Sequence, residues 1–151
     1  MNNYEQAKLD FKVHQLELTD QKRLLTLLQH TELAQKAGLQ LMANQKFQQW
    51  AVQNWLQQDE LYGIWVQAAL IGLIAIFPFQ DGGKIGYFIM ESYQGKHIMT
   101  TALQQVISKT SYHRLYAEVE PTNQASQQVL IHNYFQLISH DNDKLTYQWL
   151  R

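Results

Sequence analysis

The hydrophobic pattern changes its period several times along the chain, and each change marks an element. Residues Lys12 to Leu18 read as a short strand. Thr19 or Asp20 can cap a helix in which Leu24, Leu25, Leu27, Leu28 and Ala34 fall at helical spacing before Gly38 ends it. Asn44 can cap a second helix, where Phe47, Trp50, Ala51 and Trp55 gather three large aromatics on one stripe, expected to face the core. The character then changes. Leu61 to Val66, Ala69 to Phe77 and Lys84 to Met90 are β-branched, aromatic and nearly continuous, with turn signals at Gln67-Ala68 and Gln80-Asp81-Gly82-Gly83. They predict three consecutive antiparallel strands.

After Gln94-Gly95-Lys96, the rows Ile98/Ala102/Val106 and Met99/Leu103/Ile107 predict a helix with a broad apolar face and a polar back. A strand from Arg114 to Val119 follows. Pro121 fixes the start of a helix over about Asn123 to Asn133, and strands Phe135 to Ile138 and Leu145 to Leu150 close the chain. The predicted order is βααβββαβαββ, in one domain over residues 1–151. The strand-helix-strand crossing around residues 84 to 119 requires a mixed sheet with helices on its faces, hence an α/β or α+β fold.

Composition narrows the chemistry. The 151 residues carry 46% hydrophobic side chains, enough for a core in a domain that buries roughly two-thirds of its unfolded-chain surface. With no Cys, disulfides, thiolate metal sites and cysteine nucleophiles are excluded. A net charge of −1 with scattered Lys and Arg gives no footprint for a phosphate backbone, so no direct nucleic-acid partner is expected. The opening MNNYEQAKLD lacks a signal pattern, and the apolar run Ala68 to Phe79 is too short to span a bilayer. A cytoplasmic protein without a membrane partner is the expectation. The six His show no tight ligand spacing, so no metal site is expected.

The informative stretch is Ile85-Gly86-Tyr87-Phe88-Ile89-Met90-Glu91-Ser92-Tyr93-Gln94-Gly95-Lys96-His97-Ile98-Met99-Thr100. A buried strand runs into a short polar loop and an amphipathic helix, which turns backbone N–H groups toward one point where the helix dipole favours negative charge. Taken alone, this reads as an ordinary strand-to-helix turn, since neither GxxxxGK[ST] nor GxGxxG occurs.

The stretch resembles the acetyl-CoA-binding motif of the GNAT N-acetyltransferase superfamily, a strand followed by a [QR]xxGx[GA] loop and a helix. It looks most like the RimJ/RimL branch, the ribosomal-protein alanine and serine N-acetyltransferases, which often reads IGY(W/F) and then QGKGIMTEA. Downstream, Arg114 to Ser126 (RLYAEVEPTNQAS), then Val129-Leu130 and Phe135, is similar to that family's strand, NxxS helix start and closing GF; Leu70 to Ala75 resembles its third strand. The resemblance covers residues 61 to 138 well and residues 11 to 60 by element order. It implies a twisted, mostly antiparallel sheet of about seven strands with about four helices on its faces.

The resemblance also implies direct transfer of an acetyl group from acetyl-CoA to an amine, a protein N-terminus or a small molecule, without an acyl-enzyme. Amides of Gly95, Lys96, His97, Ile98 and Met99, with Gln94 and Thr100 beside them, would hold the pyrophosphate. Phe88, Ile89 and Met90 would pair with the pantetheine arm, and Asn123 would contact it. Glu118 is the expected base, with Glu120 and Glu91 as competitors; Ser126 is the expected donor to the leaving thiolate, with capping as its alternative role. Leu130 stands where many members carry a catalytic Tyr. His97 and Tyr134 replace glycines of the family pattern, and His97 could crowd the cofactor. Trp55 and Tyr62 could border the acceptor cleft. A homodimer is the oligomeric expectation carried by the resemblance, and a catalytically silent CoA-binding or protein-interaction module is the alternative to an enzyme.

Overall fold

The computed structural model describes residues 9–39, 41, 44–141 and 143–151. The opening segment read for a leader therefore lies largely outside the described residues. The elements run β1 (Lys12–Gln15), α1 (Gln21–Leu28), α2 (Thr31–Lys36), α3 (Gln45–Gln58), β2 (Glu60–Val66), β3 (Ala69–Phe79), β4 (Gly82–Ile89), α4 (Ile98–Lys109), β5 (Arg114–Val119), α5 (Gln124–His132), β6 (Gln136–Asp141) and β7 (Lys144–Leu150). Single 3-10 turns cover Leu18–Asp20 and Glu91–Tyr93. No described helix is long and apolar enough to cross a membrane.

The seven strands form one sheet in the order β1-β2-β3-β4-β5-β7-β6. All neighbours are antiparallel except β4 and β5. Each face is covered, as a sheet buried on both sides requires. Leu24, Leu27, Leu28, Ala34 and Val52 of α1, α2 and α3 pack with Leu61, Leu73, Ala75 and Phe88 on one face. On the other, Met99, Leu103 and Val106 of α4 and Leu130 of α5 meet Ile64, Ile74, Ile85, Leu115 and Ala117.

Three expectations are corrected. The first strand stops at Gln15 rather than Leu18; a backbone bond from Leu16 to Leu61 follows it, and the chain then folds into the 3-10 turn. The helix expected up to Gly38 is two helices, because His30 leaves the helical region (ψ 72°) after α1 and starts α2. The described helices number five, close to the expected count of about four. The aromatic stripe of α3 meets the core only through Trp55, half-buried against it: Phe47 and Trp50 are 55% and 64% exposed, and Val52 is the residue the helix buries fully. Asn44 does cap α3, its Oδ1 accepting the N–H of Lys46 at 2.9 Å.

Candidate functional site

Strands β4 and β5 pair only through Gly83↔Leu115 and Lys84↔Tyr116 and then diverge. Continuous pairing would fill the sheet; the divergence instead leaves a cleft between the upper halves of the two strands. The resulting cavity, about 740 Å³, is walled by Ile85 to Ile89 of β4, by Ala117 to Glu120, by the start of α4, by α5 and by Leu33, Lys36 and Ala37 around the end of α2.

Backbone alternation decides which amides face it. The N–H of Met90 donates to the carbonyl of Ile71 at 2.9 Å, toward β3. Successive peptide units of a strand point to opposite sides, so the N–H and C=O of Ile89 point toward the cleft, where no strand pairs with them. Gln94 Nε2 donates to that Ile89 carbonyl at 3.1 Å, tying the loop to the strand end and leaving the Ile89 N–H as the donor the cleft presents.

The loop then delivers the helix. The amides of Gly95, Lys96 and His97 have no acceptor among the described residues, and the first amides of α4 are unpaired by helix geometry. Gly95 (φ 75°) and His97 (φ 60°) both occupy the left-handed region that aims these N–H groups together. His97 thus adopts the backbone that a glycine would take there, with its ring exposed at the cavity rim. A non-glycine residue in this region is strained by about 1 kcal/mol or more. We expect His97→Gly to raise stability by about 1 kcal/mol in urea titration and to leave acetyl-CoA affinity unchanged or stronger; a large loss of affinity would mean that the imidazole itself is a ligand.

The opposite wall is built on α5. Asn123 Oδ1 accepts the N–H of Ser126 at 3.1 Å, so the side chain caps the helix and keeps Nδ2 for the cavity. Ser126 Oγ lies 2.7 Å from the hydroxyl of Tyr87 on β4. Asn133 Nδ2 donates to Thr100 O at 3.1 Å and to Val129 O at 2.9 Å, fixing α5 against α4. Tyr134 follows with φ 66° and an exposed ring, a turn that ends the helix.

The cavity wall includes Phe88, Ile89, Gln94, Gly95, His97, Ile98, Met99, Thr100, Asn123, Glu118 and Ser126, so these candidates come together. Met90 and Lys96 are not part of it: the Met90 side chain packs between the two cores and Lys96 is exposed. Tyr62 turns away as well, 3% exposed with its hydroxyl donating to Glu60 Oε1 at 2.7 Å. Burial and that carboxylate together push its phenol far up. Trp55 stands edge-on to Phe77 at 5.2 Å, outside the cavity wall.

Glu118 is half-buried and differs from the raised-pKa carboxylate that a base would favour. Burial pushes its carboxyl up, but ion pairs with Lys84 Nζ at 3.0 Å and Lys144 Nζ at 3.4 Å outweigh this and hold it below the ordinary value. Glu120 and Glu91 also line the cavity, both exposed.

Three comparisons with known proteins bear on this arrangement. Residues 11–136 match the acetyltransferase (GNAT) domain family. The probable N-acetyltransferase YjcK of Bacillus subtilis is 34% identical over 90 residues, 52% of this chain and 50% of that protein, so the matched portion spans half of its length. The ribosomal-protein-S5-alanine acetyltransferase of Vibrio fischeri superposes with a TM-score of 0.71 at 18% identity, covering 93% of this chain and 92% of that one. The ribosomal L7/L12 α-N-protein acetyltransferase RimL, in complex with coenzyme A, gives 0.70 at 18% identity over 93% of each. At these identities the two structures establish a shared fold. With a family match over most of its length, a mixed seven-stranded sheet and a β4/β5 cleft opening onto the start of α4, the chain belongs to the GNAT acetyltransferase domain family.

Proposed function

We propose that this domain transfers the acetyl group of acetyl-CoA directly to an amine, a protein N-terminal amine or a small-molecule one, in the manner of the RimJ/RimL branch. The observation that carries the reading is the cleft between β4 and β5, which brings a strand-end amide and the unpaired amides before α4 into one cavity. The residues present suit the donor. Amides converging at a helix N-terminus suit a pyrophosphate, and a strand edge without a partner suits an amide-bearing arm.

The chain's own groups divide the work. Gly95 and His97 to Thr100 bind the anionic end, while the Ile89 N–H faces the space in which charge would develop on a thioester oxygen, the type of fixed donor that contributes most to such reactions. Glu118 orients the acceptor's amine or the water that takes its proton, and Ser126 offers a hydrogen bond to the departing sulfur. With no Cys in the chain, a cysteine acyl-enzyme is excluded, which supports direct attack. The family match disfavours a silent binding module. A cytoplasmic setting and a homodimer belong to the same proposal, on the resemblance to the branch.

Calorimetric titration with acetyl-CoA tests the step on which all of this rests. We expect saturable binding with a micromolar dissociation constant, followed by acetylation in a panel that starts with peptides bearing free Ala or Ser termini. No heat of binding at near-millimolar acetyl-CoA would overturn the reading.

A further inference from the structure

Tyr87 is a half-buried polar group with no part in the acetyl transfer described above. It sits on β4 with its ring packed against the α4/α5 core, lines the cavity, and reaches across to α5. Its hydroxyl lies 2.7 Å from Ser126 Oγ and 3.2 Å from the Ser126 carbonyl oxygen. Burial pushes its phenol far up, against a smaller opposite effect from the Ser126 hydrogen bond, so Tyr87 keeps its proton at any working pH.

The phenol has one proton to give, and both acceptors within its reach belong to Ser126. The carbonyl is the longer contact and already accepts an N–H in the helix register of α5. The hydroxyl oxygen is the shorter contact. When Tyr87 donates to Ser126 Oγ, that oxygen's own proton must point elsewhere. The cavity, which Ser126 lines, lies open to it.

We propose that Tyr87 is a positioning residue: by donating to Ser126 Oγ it sets the direction in which Ser126 offers its own proton, toward the sulfur leaving the acetyl group. This inference rests on the role given to Ser126 above. In the step concerned, the bond between the amine nitrogen and the acetyl carbon forms and the carbon–sulfur bond breaks. The electron pair remains on sulfur, and the amine's proton leaves toward Glu118 or water. Ser126 stabilises the thiolate by a hydrogen bond without giving up its proton, so Tyr87 never needs to become a tyrosinate. Without Tyr87 the serine hydroxyl rotates freely and can turn its proton to backbone acceptors instead.

The test needs no knowledge of the acceptor. The chain has no Cys, so in a mixture with coenzyme A the only thiol is that of the ligand. Its ionisation can be followed by thiolate ultraviolet absorbance against pH, with the titration of the protein alone subtracted. We expect the bound thiol of the wild type to titrate about one unit lower than in Tyr87→Phe or Ser126→Ala, a tenfold larger thiolate fraction. The double variant should match the singles, because both remove one device. Coenzyme A affinity at low pH, where the thiol is neutral, should be equal in all four proteins. Ser126→Thr, which keeps a hydroxyl, should retain the lowered value in the presence of Tyr87 and lose it with Tyr87→Phe.

An effect of Ser126→Ala with none from Tyr87→Phe would overturn the positioning role and leave that of Ser126 standing. Additive shifts in the double variant would also overturn it, by making the two residues independent. No shift in either variant would remove the role of Ser126 itself, and the absence of coenzyme A binding would remove the proposed function.

Discussion

Glu118→Gln is expected to lower kcat by about a hundredfold while leaving the dissociation constant for acetyl-CoA within twofold of wild type, the low end of what a positioned acid or base contributes. The split follows from where the side chain sits. Glu118 lies on β5, whereas the unpaired amides belong to the loop before α4 and its first turn, so its loss leaves the anion-binding end untouched. The expected pH dependence follows from its ion pairs. Lys84 and Lys144 overcome the opposing effect of burial and hold the carboxylate below its ordinary value of 4.5. Glu118 is therefore charged throughout the neutral range, and the acid limb of the rate profile attributable to it should fall below the usual glutamate range. An α-ammonium with a pKa of about 8 does not pass its proton downhill to such a carboxylate. The reaction should draw on acceptor that is already neutral, with Glu118 orienting the amine or the water that takes its proton, so rates should climb toward pH 8.

Lys84→Met removes the shorter ion pair and should move that acid limb upward. Equal activity of Glu118→Gln and wild type across pH would transfer the role to Glu120 or Glu91. The same charges give a small stability linkage of known sign. A carboxyl whose pKa is lowered in the folded state stabilises it above the ordinary glutamate range, and that contribution is lost as pH falls through the lowered value. With side chains 25%, 37% and 59% exposed, solvent screening keeps the contribution below about 1 kcal/mol.

What was legible in the sequence was local. The strands β2 to β4 stand out because residues 67–68 and 80–83 interrupt a nearly continuous apolar run, and Gln67 and Gln80 indeed take positive φ at those turns. The start of α4 was legible for the same reason, with Gly95 and the His97 position needing left-handed backbone. The break at His30 was hidden because the leucine spacing continues through it and neither Gly nor Pro marks it. The α3 stripe misled because spacing gathers residues on a side without saying which side meets the sheet. Tyr87 with Ser126, and Glu118 with Lys84 and Lys144, are invisible in one dimension, since each joins residues 26 to 39 positions apart. Register would have found part of this. Once Glu118 is set opposite Thr146, Lys144 is its diagonal neighbour on the same face.

Gly86→Ala should be the most disruptive single methyl in the site. A Cβ built on Gly86 would lie 2.3 Å from the carbonyl oxygen of Ala37, so the turn that ends α2 rests directly on the backbone of β4. Neither partner is a flexible side chain that can step aside; the α2 end must lift or β4 must bend. Overpacking of this kind costs about 1–3 kcal/mol, and we expect a loss at the upper end in urea titration with an unchanged m-value. The functional consequence follows from the same contact. Leu33, Lys36 and Ala37 form the α2 portion of the cavity wall. Lifting α2 should raise the acceptor KM by more than it weakens acetyl-CoA binding. Gly95→Ala separates steric from conformational causes, because nothing lies within 4 Å of its Cβ and only the left-handed backbone (φ 75°) opposes a side chain. That variant should lose about 1 kcal/mol and show its defect in acetyl-CoA affinity instead, where the loop amides are displaced. If Gly86→Ala were as stable as wild type, the α2 turn would have to sit off β4, and the cavity would have lost the wall that separates it from solvent on that side.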